Sequence, residues 1–296
     1  MALLSAFTTS FDFANTGADA QPYTIYPQAH LVAMEAKAKV KNKGYMEQTG
    51  VVATMAIQGP NGDDFTWSAD PVNVDPGTEY DQIFDLFQPN GEIGDYQVTF
   101  SLTQNEADEV PANNTEVRNF SVSGSVYALD NGAVTGFQRQ APDNLAENYE
   151  LGSKFQFQVD DQIIAVQAAV HNSTPVGGLV YGAVYDLAAD NTSHPSLRGD
   201  FSVEHTIEAA DLNDIGGTSF FTMNFTNPID VVSGDVVQVM AGTFQASDSI
   251  RFATSGFVPL QITLIHYPNL AANMQFTLTK APMVRELHVE IGRAHV

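Results

Sequence analysis

The chain has no cysteine in 296 residues. That removes disulfides, thiolate metal sites and a cysteine nucleophile together. It does not fix a reducing compartment, because large sandwiches hold without such staples. Bases are scarce as well: 12 Lys and Arg stand against 35 Asp and Glu, a formal net charge of −23. The excess is even, with 15 acids and 5 bases in residues 21–125 and 13 and 4 in residues 150–282. An acidic tail and a hidden basic domain are both excluded. Phosphate backbones would be repelled, so nucleic acid is not an expected partner. Such charge suits solubility in a salty medium. Long apolar runs are also missing. No stretch approaches the roughly 20 residues of a membrane-spanning helix, so no membrane insertion is expected. Met1 to Phe13 lacks the basic start of a signal peptide.

The motifs of several chemistries are absent too. There is no H-E-x-x-H for a two-histidine zinc site, no G-x-S-x-G elbow for a serine nucleophile and no phosphate-binding loop. The histidines at 30, 171, 194, 205 and 266 fall on separate predicted strands and loops, and no shared metal site is expected of them.

What is present is a period of two. From Gly94-Asp95-Tyr96 onward, Tyr96, Val98, Phe100 and Leu102 share one face, and Gln97, Thr99, Ser101 and Thr103 the other. A polar, turn-rich segment from Gln104 to Asn114 follows, and then a second alternating run through Arg118, Phe120 and Val122. This predicts an antiparallel hairpin with one wet face. Leu31 to Asn42 alternates likewise, with Val32, Met34, Ala36, Ala38 and Val40 opposite Glu35, Lys37, Lys39 and Lys41. The lysines predict a solvent face guarding an exposed sheet edge; the competing reading is a docking stripe for an acidic polymer. Val51 to Ile57 and Tyr80 to Phe87 add strands, and Gly59-Pro60-Asn61-Gly62 and Asp75-Pro76-Gly77 mark turns. Trp67, the one tryptophan, is expected at the core or rim, with sugar stacking as its alternative.

Ser123 to Glu150 reads as an irregular linker around Asp130-Asn131-Gly132 and Pro142. Beyond it, Phe155, Phe157 and Val159 alternate with Lys154, Gln156 and Gln158, and Ile163 to His171 is apolar nearly throughout. Leu179 to Leu187 and several shorter runs complete a second all-β body. The expected fold class is therefore all-β, two antiparallel β-sandwiches in tandem, immunoglobulin-like and then jelly-roll-like. The domains are 1–20, the tail of an upstream segment; 21–125, the first sandwich; 126–149, the linker; 150–282, the second sandwich; and 283–296, a truncated end. The last residues, Glu290-Ile291-Gly292-Arg293-Ala294-His295-Val296, resemble a translated sequencing adapter. The natural sequence is expected to stop before about Glu290, as in an environmental gene fragment, and His288 and His295 are given no role in metal binding.

The turn Asn42-Lys43-Gly44 with Gln48-Thr49, the Gly94-Asp95-Tyr96 strand followed by Asp108 and Pro111-Ala112-Asn113-Asn114, and Phe120-Ser121-Val122 resemble the adhesion-type, immunoglobulin-like modules of large bacterial cell-surface exoproteins. Val126 to Gly132 looks like the joint to a second sandwich in such proteins, and Val231 to Val237 is similar to a strand of exported jelly-roll modules. The layout resembles exoproteins sent out by the type IX secretion route. The resemblance implies a secreted or cell-surface location and supplies no catalytic residue.

Acidic loops are the remaining chemical candidates. Asp186 with Asp190, and Asp211 with Asn213 and Asp214, sit in predicted loops and offer oxygen ligands of the kind calcium takes. Trp67, Tyr181 and Tyr185 are candidates for stacking on sugar. The expected function is a non-catalytic structural or adhesive module, its partners surface polysaccharide or other domains of a parent protein. The alternatives are a carbohydrate-binding module, or ancillary domains of a secreted peptidase or other hydrolase. No cofactor is expected beyond calcium.

Overall fold

The structure is a computed structural model that describes residues 1–9, 23–62, 65–139, 148–187, 194–244, 250–256, 262–268, 275–278 and 280–289. It is all-β, built of antiparallel sheets with a few 3-10 turns. Among the described residues, 1–9 and 31–123 form one compact unit and 23–30 with 124–289 form a second.

The first unit holds two sheets. In one, strand Gln48–Gln58 pairs with Gly94–Thr103, Phe65–Ser68 and Val72–Val74, and Gly94–Thr103 pairs in turn with Thr115–Ser123. The alternation read from the sequence is the alternation of burial: Tyr96, Val98, Phe100 and Leu102 turn inward with Val51, Ala53, Met55 and Ile57. The hairpin forms as expected. Its register sets Tyr96 opposite Phe120, and their rings stack at 4.8 Å and 8°. Trp67 is half-buried, its ring edge-on to Phe84 at 5.1 Å.

The lysine-bearing strand differs from expectation in one respect. Glu35–Lys41 is not an edge: it lies between Ala2–Thr9 and Glu79–Ile83 in a three-stranded sheet. Alternation reports only that one face is wet, which a central strand satisfies equally well. The lysines meet acids of the neighbouring strand, Lys39 with Asp81 at 3.5 Å and Lys41 with Glu79 at 2.5 Å. Such exposed cross-strand pairs are screened by water and set register more than stability.

The second unit has a six-stranded sheet ordered His205–Thr206, Leu179–Asp186, Val236–Thr243, Tyr149–Gln156, Thr263–His266, Gln275–Thr277. A four-stranded sheet packs against it, ordered Val126–Tyr127, Val284–Val289, Asp161–Ala168, Phe221–Val231. A third sheet joins Gly136–Gln138, Phe252–Ser255, Val170–His171 and Leu212–Asn213, the last two running parallel. Strands Leu179–Asp186 and Val236–Thr243 are buried on both faces, which is why they read as continuous apolar runs.

The stretch after Ser123, expected as irregular linker, is structured where it is described. Val126–Tyr127 pairs with Val284–Val289, and Gly136–Gln138 pairs with Phe252–Ser255. Strands of two or three residues are too short for periodicity to announce. Side chains hold the bend between them. Asp130 Oδ1 accepts the Gly132 N–H at 2.9 Å, and Arg285 grips both carboxylate oxygens, Nε to Oδ2 at 2.8 Å and Nη2 to Oδ1 at 2.6 Å. The Arg285 guanidinium also lies 3.9 Å from the Phe220 ring centre. Asp130 is fully buried, so Arg285→Ala would leave a charge without its counterion. We expect a loss of about 3 kcal/mol in urea unfolding; a loss under about 1 kcal/mol would show the clamp to be incidental.

Residues 23–30, read from sequence as the start of the first sandwich, belong to the second unit. Their anchors are aromatic. Tyr23 packs on Tyr127 at 4.4 Å and on Phe155 at 5.7 Å, and its hydroxyl donates to the Lys154 carbonyl at 3.2 Å. Tyr127 donates to the Gln156 carbonyl, also at 3.2 Å. Burial pushes both phenols well above their ordinary values, so they serve as permanent donors.

Candidate functional site

Two clusters of carboxylate and imidazole lie inside the second unit. The first is built on Glu150. Its strand, Tyr149–Gln156, runs between Val236–Thr243 and Thr263–His266, and the register puts Glu150 opposite Gly242 on one side and His266 on the other. Gly242 also faces Tyr181 on the next strand. A Cβ at Gly242 would lie 2.7 Å from both Glu150 Cγ and Tyr181 Cζ, so glycine is what lets Tyr181 reach across a strand to Glu150. The Tyr181 and Tyr185 hydroxyls both donate to Glu150 Oε1 at 2.7 Å. His266 Nδ1 lies 2.6 Å from Oε2. Three donors thus surround a carboxylate that has no solvent exposure. Burial, and next the Glu150 charge, push the two phenols far above their ordinary values; neither gives up its proton. The other nitrogen of His266, Nε2, lies 3.4 Å from Nδ1 of His194, an exposed residue.

The second cluster gathers His30, Asp161, Glu286 and His288. His30 closes a 3-10 turn, Asp161 opens strand Asp161–Ala168, and Glu286 and His288 project from one face of Val284–Val289 two positions apart. All four are at least 96% buried, Asp161 being the most exposed at 4%. His30 Nε2 is 3.0 Å from Asp161 Oδ2, and His288 Nε2 is 3.7 Å from the same oxygen. Glu286 Oε1 stands 3.3 Å from His288 Nδ1.

Nitrogen and oxygen atoms of His30, Asp161 and His288 all fall within 4.8 Å of one another, close enough to surround a metal ion. The proton inventory argues otherwise. The Gln158 N–H donates to His30 Nδ1 at 3.1 Å, so that nitrogen carries the lone pair. The neutral ring therefore bears its proton on Nε2 and points it at Asp161. A metal ligand needs the opposite tautomer, with the lone pair on the nitrogen facing the ion. His30 is a donor here, and the cluster is a hydrogen-bonded strut.

Burial pushes the Glu286 carboxyl above its ordinary value of 4.5, against the opposing pull of His288. Folding then binds a proton that the unfolded chain releases. Stability contributed by this group is complete below 4.5 and falls as pH rises through the raised folded value. Glu286→Gln removes that slope. Urea midpoints across the acid-to-neutral range should show the variant gaining on the parent as pH rises; a constant difference would mean that Glu286 titrates normally.

The sites expected from sequence are placed as follows. Asp186 is taken up by Arg198, whose Nε donates to it at 2.7 Å and which also pairs with Asp235. Calcium there would have to displace a guanidinium. Asp211 accepts from His205 Nε2 at 2.7 Å and from the Glu208 N–H at 2.8 Å. Asn213 is buried; its amide bonds the carbonyls of Val170, Asp211 and Ser219, and its oxygen accepts the Ser219 N–H. Asp214 accepts from Asn172. These oxygens face N–H donors, which do the work an ion would do. Asp190 lies outside the described residues. Tyr181 and Tyr185 are 1% and 4% exposed, so neither offers a ring face to sugar. The half-exposed rings beside Tyr181, Phe201 and Phe244, stand at 87° to each other and make no flat platform. Sequence reasoning missed Glu150, Glu286, the pairing of His194 with His266, and His288. The local signal was the E-x-H of Glu286 and His288, two polar residues at inward positions while Leu287 faces outward.

In the first unit, a cavity of about 340 Å³ lies between the Asn42–Gln48 turn and the loop from Gln104 to Asn113, rimmed by the exposed Tyr45 and Met46.

No protein-family model and no curated protein matches the chain. Among solved structures it is similar to the cysteine protease and lectin-like domains of Cwp84, a surface-layer-associated protein of Clostridium difficile. The match has a TM-score of 0.34 and 10% identity over 82% of this chain, and spans 59% of the length of that one. So slight a likeness assigns nothing to this chain.

Proposed function

We propose that the chain is a non-catalytic structural or adhesive module of a larger secreted or cell-surface protein. One observation carries the reading. In the two densest clusters the carboxylates are buried and taken up within the fold, Glu150 by Tyr181, Tyr185 and His266, and Asp161 by His30. Such groups join strands far apart in sequence; they do not meet a substrate. The net charge of −23 suits a chain that works in a salty exterior. Export by the type IX route and contact with surface polysaccharide or with other domains of the parent protein belong to the same reading.

The test uses the full chain on a glycan array, on insoluble cell-wall material, and against a panel of fluorogenic peptides and glycosides. Retention on cell-wall material without turnover is the expected result. Turnover lost in Glu150→Gln, with the fold intact, would overturn the reading. A specific glycan hit would reassign the module to carbohydrate binding.

A further inference from the structure

The geometry points to a divalent transition-metal site held by His266 and His194, with Glu150 as its outer-shell carboxylate. The site is independent of the adhesive reading above.

The proton inventory favours it where it disfavours the His30 cluster. Glu150 Oε2, 2.6 Å from His266 Nδ1, holds the ring proton on Nδ1. The lone pair is then on Nε2, on the side facing His194. Histidine that binds a metal through one nitrogen while the other donates to a carboxylate is the arrangement that fixes ring orientation and raises ligand basicity. Here the carboxylate is itself fixed, since Tyr181 and Tyr185 occupy Oε1 at 2.7 Å each. The edge of Tyr185 also packs on the His266 ring at 5.2 Å and 79°.

The distance between the two nitrogens fits as well. With zinc–nitrogen bonds of roughly 2.0–2.1 Å and a tetrahedral angle, two ligand nitrogens stand about 3.3–3.4 Å apart. His266 Nε2 and His194 Nδ1 are 3.4 Å apart. At that distance a proton between His266 Nε2 and His194 Nδ1 makes a hydrogen bond, and a dication bound in its place would take the lone pairs of both nitrogens. The rings meet at 71°. His194 is exposed, so water can fill the remaining coordination positions. The chemistry of two neutral imidazoles selects a borderline ion such as zinc, nickel or copper over calcium or magnesium. The buried Glu150 charge and the acidic surface both favour a dication.

The probe is zinc alone, titrated calorimetrically into the full, untagged chain after chelator treatment. One zinc per chain is expected. His194→Ala alters an exposed side chain and should keep the apo melting temperature while weakening zinc at least about tenfold; Tyr185→Phe, which loosens the outer shell, should weaken it less. Zinc should raise the melting temperature of the parent chain and not that of His194→Ala. Three results would overturn the inference: no zinc binding by the parent chain, unchanged binding in His194→Ala, or binding lost in His288→Gln instead.

Discussion

Glu150→Ala is expected to lower stability by about 3–5 kcal/mol in urea unfolding, the largest loss from any single side-chain truncation in the second unit. The truncation removes the one acceptor shared by two phenols and an imidazole, all interior. Each phenol left without a partner costs about 1–3 kcal/mol. Relief from burying a carboxylate offsets part of this sum, which keeps the total near the lower end of what the three lost contacts suggest. Glu150→Gln retains one acceptor oxygen and should cost about half as much. The lone tryptophan supplies an internal control, because Trp67 lies in the first unit and its fluorescence reports that unit. A loss below about 1 kcal/mol for the alanine variant would mean that the phenols and His266 find other partners.

Gly152→Ala is the second large effect. Gly152 faces Met240 on one neighbouring strand and Leu264 on the other. An added methyl carbon would lie 1.9 Å from the Val239 carbonyl oxygen and 2.7 Å from Met240 Sδ. The sulfur can swing aside; the carbonyl belongs to the ladder and cannot. The strands would have to part, in an interior packed as densely as a crystal. We expect more than about 4 kcal/mol, seen as insoluble expression or a greatly lowered urea midpoint. Gly136→Ala is the matched control, since its methyl would meet Thr254 and Lys280 at 3.4 and 3.5 Å, ordinary contact distances. If the two variants behave alike, the close approach at Gly152 is not real.

Much of the fold was legible because period-two alternation reports the burial of alternate residues directly. Gly94–Thr103 and Gln48–Gln58 are clear cases, with inward and outward positions as read. Alternation does not reveal which strands are neighbours. That is why Glu35–Lys41 read as an edge although it is central. Very short strands escaped for the opposite reason: Val126–Tyr127 is held by Asp130 and Arg285, 155 positions apart, and by no local pattern. The clusters were harder still. His194 and His266 are separated by 72 positions, His30 and Asp161 by 131, and nothing within either window marks them as partners. Expectations for Asp186 and Asp211 rested on loop acidity, which cannot tell a cation site from a carboxylate about to meet Arg198 or His205.

The strut from His30 to His288 bears on how the protein is made. A ribosome releases the 23–30 segment early, yet its partners Glu286 and His288 are almost the last described residues to emerge. The first unit has all of its strands once Ser123 is out, and can mature while synthesis continues. The second cannot close its four-stranded sheet until Val284–Val289 arrives to fill the place between Val126–Tyr127 and Asp161–Ala168. Until then His30 lacks the His288 ring that packs edge-on to it at 5.3 Å, an interval in which a nascent chain is most exposed to wrong partners.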